Sequence, residues 1–400
     1  MVIRASFATV LAPLLLLFEI SSAALQRRAW VGSLTGQPFW EEGDPFPTTN
    51  EEVNRFLTFT KVAYDAVFNA MGATAQWNAV PDVLFGVVDS KHADLQGRRG
   101  PCTYGDAYFT VDNFGSYGSV FCPHMATAFW VGHEWGHGYA AQAGLRTATA
   151  ETWAISEFVA DVLGVTVEML ADPQKPSTTR GAEECSVYGE NPGFGYIQGT
   201  GGTDESKRWV VGVNCDSEIC PARDMWNPPC FGAADRIMSP NYMCGEGANE
   251  PLGLSSRAHK NNGVGNKFFA LLVDGGSFNG QDIQSIGLAK AFRVVYGALL
   301  SGENLGSDPS LLKFRDMASA LRDTCVASIG KAVSDLQTAG EPLQGIFLTS
   351  KDCDQVSAAL EAVEMFEEPC VDQSIIFQEP FSPVSFLLFS VMPIAFLLLI

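Results

Sequence analysis

The sequence predicts an α+β fold of two lobes, a small mixed α/β lobe followed by a mainly helical one. Three observations carry this: an amphipathic helical block starting near residue 50, a β-prone stretch at 80–122, and a succession of helical stretches from 126 onward. With 46% of the 400 residues apolar and 18% charged, the composition is that of a globular protein.

The N-terminus has Arg4, an apolar run at 7–18 and the small residues Ser21, Ser22, Ala23 and Ala24, which read as a secretory signal peptide at 1–23 cleaved after Ala23. The run is about 12 residues long, where a membrane span needs about 20. Residues 24–48, rich in Gly, Pro and Trp and without a period, read as loop. Thr49 and Glu52 form a capping box for a helix whose apolar positions Val53, Phe56, Val62, Ala66 and Val67 keep helical spacing until Gly72. In 80–122 the segments VLFGVV and DAYFTV suggest a small sheet.

A helix over 126–144 follows, with Gly144 as its C-cap glycine, and the N-terminal lobe is placed at 49–150. The second lobe, 151–370, opens with a helix over 152–170 that ends before Pro173. Residues 172–250 hold many Gly, Pro, Asn and Asp with Cys185, Cys215, Cys220, Cys230 and Cys244, and read as cross-linked loop. Further helices are expected near 262–273, 286–300, 310–329 and 350–366. The last segment, 371–400, ends in an apolar run at 384–400 broken by Pro393, with no basic residue after it. A glycolipid-anchor signal, with Asp372 and Ser374 at a candidate attachment site, and a retained membrane helix both fit this tail.

The charge of -20 and the isoelectric point near 4.6 exclude a nucleic-acid partner, since binding to phosphate backbones rests on Lys and Arg. The remaining cysteines, Cys102, Cys122, Cys325, Cys353 and Cys370, bring the total to ten. An even number in an oxidising compartment implies disulfides, whose pairing stays open, and no C-x-x-C pair suggests a cysteine metal site.

His133 and His137 lie four apart in HEWGH, so on a helix both imidazoles project from one face and can chelate one cation, with Glu134 beside them. Glu157 and Asp161 are also four apart, in an otherwise apolar helix. Two inward carboxylates there are costly unless a cation meets them. Zinc on His133, His137 and Glu157 would keep one position open for water, and Asp161 would accept the free ring N–H of a zinc histidine.

These motifs resemble the thermolysin family of zinc metalloendopeptidases, in which a two-histidine, one-glutamate zinc site is the norm. HEWGH followed by EFVAD is similar to the family's pair of zinc helices. The segment AHKNNGVGNKFFALLVDGG resembles the one carrying a catalytic histidine, here His259, and RDMWNP places Arg223 at the substrate-binding arginine. DAYF resembles the edge strand that pairs with substrate backbone, assigning that role to Asp106 and Ala107, with Asp106 where an asparagine is usual. The resemblance covers about 48–366. It implies an active-site cleft between the two lobes, one zinc, protein or peptide substrates, a monomer, and Glu134 as general base.

The departures are informative. The family's tyrosine donor falls on Ala148, leaving Tyr139 or another group to supply that contribution. The aspartate behind the catalytic histidine falls on Leu254, with Glu250 or Glu246 as substitutes. Of four positions in the family's calcium cluster, Phe129, Arg208 and Val213 offer no carboxylate and only Glu168 remains, so calcium is not expected. The family's long propeptide has no counterpart between the signal and the first matching helix. The rival class is a catalytically weakened relative acting as a surface adhesion or binding ectodomain; an intact Glu134 argues against it. Either would be extracellular or anchored to the cell surface.

Overall fold

The computed structural model describes residues 26–34, 37–71, 83–88, 90, 107–111, 117–145, 148–171, 208–211, 223–245, 253–300, 305, 308–336 and 342–369. The expected signal peptide, the C-terminal tail, Asp106, Val213, Glu246 and Glu250 lie outside these residues.

The first lobe is built on strands β1 (Gln26–Val31), β2 (Trp40–Glu41), β3 (Val83–Val88), β4 (Ala107–Val111) and β5 (Tyr117–Phe121), with helix α1 (Glu51–Met71). They make one five-stranded sheet in the order β2-β1-β3-β5-β4. β1, β3 and β5 run parallel, while β2 and β4 pair antiparallel. β1, α1 and β3 form a crossover unit, which explains why the parallel neighbours are separated by a helix.

The loop reading of 24–48 is therefore corrected: β1 and β2 lie there, and β1 sits between β2 and β3. Its residues carry weak local β signal, and its order comes from pairing with β3 over the full length Gln26↔Val83 to Val31↔Val88. The cap of α1 is also one residue later than expected. Asn50 Oδ1 accepts from Val53 N (3.0 Å), whereas Glu52 turns inward to Arg55 and the backbone N–H of Ala126.

Two long helices, α2 (Ala128–Gln142) and α3 (Ala150–Ala171), pack on this sheet lobe and are buried around nearly their whole circumference. They approach through small residues: a Cβ on Gly136 would lie 2.4 Å from Ala160 Cα, and one on Gly164 would lie 2.8 Å from the Phe129 ring. α2 ends as expected at Gly144, whose φ of 83° suits glycine. Its N–H reaches Ala141 O and that of Leu145 reaches Ala140 O, the paired closing bonds of a Schellman turn.

The helical lobe continues with α4 (Gly253–Asn261), α5 (Gly263–Asp274), α6 (Leu288–Leu300), α7 (Phe314–Ala327) and α8 (Ser350–Ala362). α4 was not anticipated as a separate helix, because GLSSRAHKN is polar and lacks an apolar stripe. Short antiparallel pairs join these elements: β6 (Val210–Val211) with β7 (Arg223–Asp224), β8 (Gly276–Phe278) with β9 (Gln281–Ile283), and β10 (Ala332–Ser334) with β11 (Pro342–Phe347). The β8–β9 turn is Asn279-Gly280, with φ of 48° and 81° as a type I′ hairpin requires. A disulfide ties α7 to α8 through Cys325 and Cys353. Cys122, Cys230 and Cys244 are disulfide-bonded as well, and no described cysteine is free. Among the described residues, no helix is long and apolar enough to cross a membrane.

Candidate metal centre

The close packing of α2 on α3 brings two helical faces together. His133 and His137 project from α2, and Glu157 and Asp161 from α3. His133 Nε2 and His137 Nε2 are 3.1 Å apart, and Glu157 oxygens lie 3.5 Å from each. A tetrahedral zinc with arms of 2.0–2.1 Å has ligand–ligand edges of about 3.3 Å; the two imidazole nitrogens are near that spacing, and each Glu157 oxygen is near it from one of them, Oε2 from His133 and Oε1 from His137. They form the metal-competent His/Cys/Asp/Glu group among the described residues.

Asp161 stands behind this trio. It is fully buried and its Oδ1 lies 2.9 Å from His133 Nδ1, the ring atom turned away from the other donors. The same oxygen accepts from Arg223 Nη1 (2.9 Å), and Oδ2 accepts from Asn262 Nδ2 (2.7 Å) and Asn266 Nδ2 (2.8 Å). Arg223, placed by the β6–β7 pair, also donates from Nη2 to Glu157 Oε2 at 3.2 Å. His137 is steadied by Ser156 Oγ, 3.1 Å from its Nδ1. On the opposite face of α2, Trp135 Nε1 donates to Thr60 Oγ1 of α1, fixing the helix to the first lobe.

The electrostatics follow from burial and these partners. Burial pushes His137 down to about 4, against the opposing charge of Glu157. Burial would also lower His133, but the hydrogen bond and charge of Asp161, with Glu157 and Glu134 behind it, raise it above its ordinary value. Burial favours the neutral form of Glu157, yet the charges of His259, His137, His133 and Arg223 hold it far below the usual carboxylate range. Asp161 is likewise held low, its burial outweighed first by Arg223. Glu134, Glu157 and Asp161 are all buried, and Arg223 is the cation that directly bonds two of them. A dication would offset the remaining negative charge.

His259 arrives on α4. Its side chain is 40% exposed, and its Nε2 points to Glu157 Oε1 at 3.3 Å. Its Nδ1 donates to the Ser255 carbonyl at 2.7 Å, so the backbone of its own helix supplies the orienting acceptor expected from an acidic residue. Ala107 opens β4, at the end of the sheet order. Ala148 is exposed, while Tyr139 is 2% exposed and packs edge-on against Tyr296 in the core, so Tyr139 does not replace the missing donor. Of the calcium positions, Phe129 is in the core and Arg208 forms a two-pronged pair with Asp274 (2.8 and 3.0 Å).

Three groups at the site escaped the sequence reading. Asn262 and Asn266 follow His259 by three and seven positions, a helical spacing that was legible in AHKNNGVGN. Trp153, whose Nε1 donates to Glu157 Oε1 at 3.1 Å, precedes Glu157 by one turn, and nothing in composition marks it as more than a core residue.

A sheet lobe and a helical lobe meeting at a His-His-Glu cluster are the features of the thermolysin-like metallopeptidase class. Residues 147–340 match the family model described as "Thermolysin metallopeptidase, alpha-helical domain". Over these residues the chain is similar to the helical domain of the thermolysin family. It is 24% identical over 260 residues to a "Zinc metalloproteinase" of Renibacterium salmoninarum, covering 60% of this chain and 38% of that relative. Its fold is similar to that of the precursor of protealysin, a metalloproteinase from Serratia proteamaculans, with a TM-score of 0.51, 16% identity, and 85% of this chain and 88% of the other covered.

Proposed function

We propose that this chain is a zinc-dependent endopeptidase acting on protein or peptide substrates, with His133, His137 and Glu157 as the metal ligands. The observation that carries the reading is the gathering of one ligand atom each from His133, His137 and Glu157 within 4.8 Å of one another, with Asp161 and Ser156 holding the two imidazoles from behind. Zinc held there would acidify a water and polarise the scissile carbonyl. Glu134, buried beside His133, takes the proton from the attacking water and delivers it to the leaving amine. His259, half-exposed next to Glu157 and with Nδ1–H already given to the Ser255 carbonyl, donates from Nε2 to the developing oxyanion in its imidazolium form. Arg223, whose guanidinium is anchored on Asp161 and Glu157, has further N–H groups for a substrate carbonyl. Ala107, which opens edge strand β4, and Asp106 before it in the sequence pair with substrate backbone. Asp161 keeps His133 in the tautomer that leaves Nε2 for the metal.

The enzyme would act as a monomer, secreted or held at the cell surface, without calcium. Ala148 and the core position of Tyr139 favour a second reading, a weakened enzyme in which the ectodomain chiefly binds its partners.

The test is metal content and turnover of the purified chain on a denatured protein, with and without a chelator. Wild type should hold one zinc, Glu157→Ala should lose it, and Glu134→Gln should keep it while losing nearly all turnover. His259→Ala should lose about 10²- to 10³-fold, as for one oxyanion donor. A zinc-free wild type, or a fully active Glu134→Gln, would overturn the proposal.

A further inference from the structure

Glu157 is gripped at both oxygens. Arg223 Nη2 reaches Oε2 at 3.2 Å, and the indole Nε1 of Trp153 reaches Oε1 at 3.1 Å. Trp153 and Glu157 are one helical turn apart on α3, so the bond lies along a single rigid element. The ring is partly buried against the core, and its centroid is 6.4 Å from that of His259 on α4. An indole N–H donates only and does not titrate in the working range. It can therefore fix the orientation of a ligand carboxylate without adding a positive charge that would compete with a dication.

Resting on the zinc reading of this site, we propose that Trp153 is a positioning residue: its indole N–H pins the Glu157 carboxylate in the orientation that completes the metal centre, and its ring backs His259. The partners of a ligand's free atoms typically change metal affinity by about 10- to 100-fold when removed. Trp153→Phe keeps an aromatic ring of similar placement and removes the N–H, so it isolates this contribution.

The experiment measures the zinc dissociation constant of the full chain by chelator competition, alongside thermal melts of the zinc-free proteins. Trp153→Phe should bind zinc about 10- to 100-fold more weakly, with the zinc-free melt unchanged. A second measurement does not depend on the variant's folding. In wild type labelled with ¹⁵N in the indole, the Trp153 signal should shift on zinc addition. The signals of Trp135 and Trp209, whose N–H groups bond Thr60 and Asp274, should not. Equal zinc affinity in wild type and Trp153→Phe, or a Trp153 signal indifferent to zinc, would overturn the positioning role and leave the metal assignment intact. A wild type that binds no zinc would overturn both.

Discussion

Replacing Gly136 with alanine tests how helix packing builds the metal centre. The added Cβ would lie 2.4 Å from Ala160 Cα and 3.1 Å from Ala160 Cβ. Carbon atoms in ordinary contact are about 3.5–4.0 Å apart, so the backbones must separate by somewhat more than ~1 Å. The nearest obstacle is backbone, which no rotamer change can relieve. α2 carries His133 and His137 and α3 carries Glu157, so the opening falls on the 3.5 Å spacings between Glu157 and the two imidazoles. Stretched to about 4.5 Å, these exceed the roughly 3.3 Å edge of a zinc tetrahedron. Overpacking costs about 1–3 kcal/mol, partly offset by about 1 kcal/mol from the better helix propensity of alanine. Zinc affinity should fall at least ~10-fold and the zinc-free melting temperature by a few degrees, as read by chelator competition and thermal unfolding. Gly144→Ala provides the contrast: its site has room, with Pro309 at 3.5 Å, but a φ of 83°. It should cost about 1 kcal/mol of stability and leave zinc binding alone. Unchanged zinc affinity in Gly136→Ala would refute the argument that this contact sets the ligand spacing.

Other outcomes concern regions away from the His133, His137 and Glu157 group. Asp352 accepts from Lys290 Nζ (2.9 and 3.0 Å) and closes the α8 capping box with Thr349; burial raises its pKa, but these bonds hold it below the ordinary value. A folded pKa below the unfolded one gives stability that is complete above the unfolded value and is lost as pH falls through the folded value. Asp352→Asn should therefore cost about 1 kcal/mol at pH 7, and its urea midpoint should converge on that of wild type below about pH 4. The Cys325–Cys353 bridge spans a sequence separation of 28, and replacing both cysteines with serine should destabilise by about 2–4 kcal/mol, whereas excess calcium should leave the melting temperature unchanged. A calcium-dependent rise of several degrees would contradict that absence. Treating expressing cells with a phosphatidylinositol-specific phospholipase should release the protein if a glycolipid replaces the tail; resistance with the tail still present by mass spectrometry would indicate a membrane helix instead.

Much of the site was legible because it is written in helix periodicity. Residues four apart share a face whatever surrounds them, so His133 with His137 and Glu157 with Asp161 could be paired before any packing was known. α1, α2, α3 and α8 appeared within a few residues of their expected bounds for the same reason. The β structure was less accessible. β1 has little intrinsic preference and depends on β3, more than fifty residues later in the chain, whereas the Asn279-Gly280 turn is a local signal of the β8–β9 hairpin. Likewise Tyr139 sits only two residues after His137, yet it points into the core, which proximity in sequence could not reveal.

The donor set thus belongs to local spacing, since a helix repeats its geometry independently of context. Which groups hold those donors belongs to the assembled chain. Asp161 gathers Arg223 from β7 and Asn262 and Asn266 from the α4–α5 region, and His259 finds its acceptor in the Ser255 carbonyl. These partners come from separate elements and meet only when α3 is buried between them. Their contacts depend on how closely the helices pack, and that distance is set by pairs such as Gly136 and Ala160, whose importance lies in the atoms they lack.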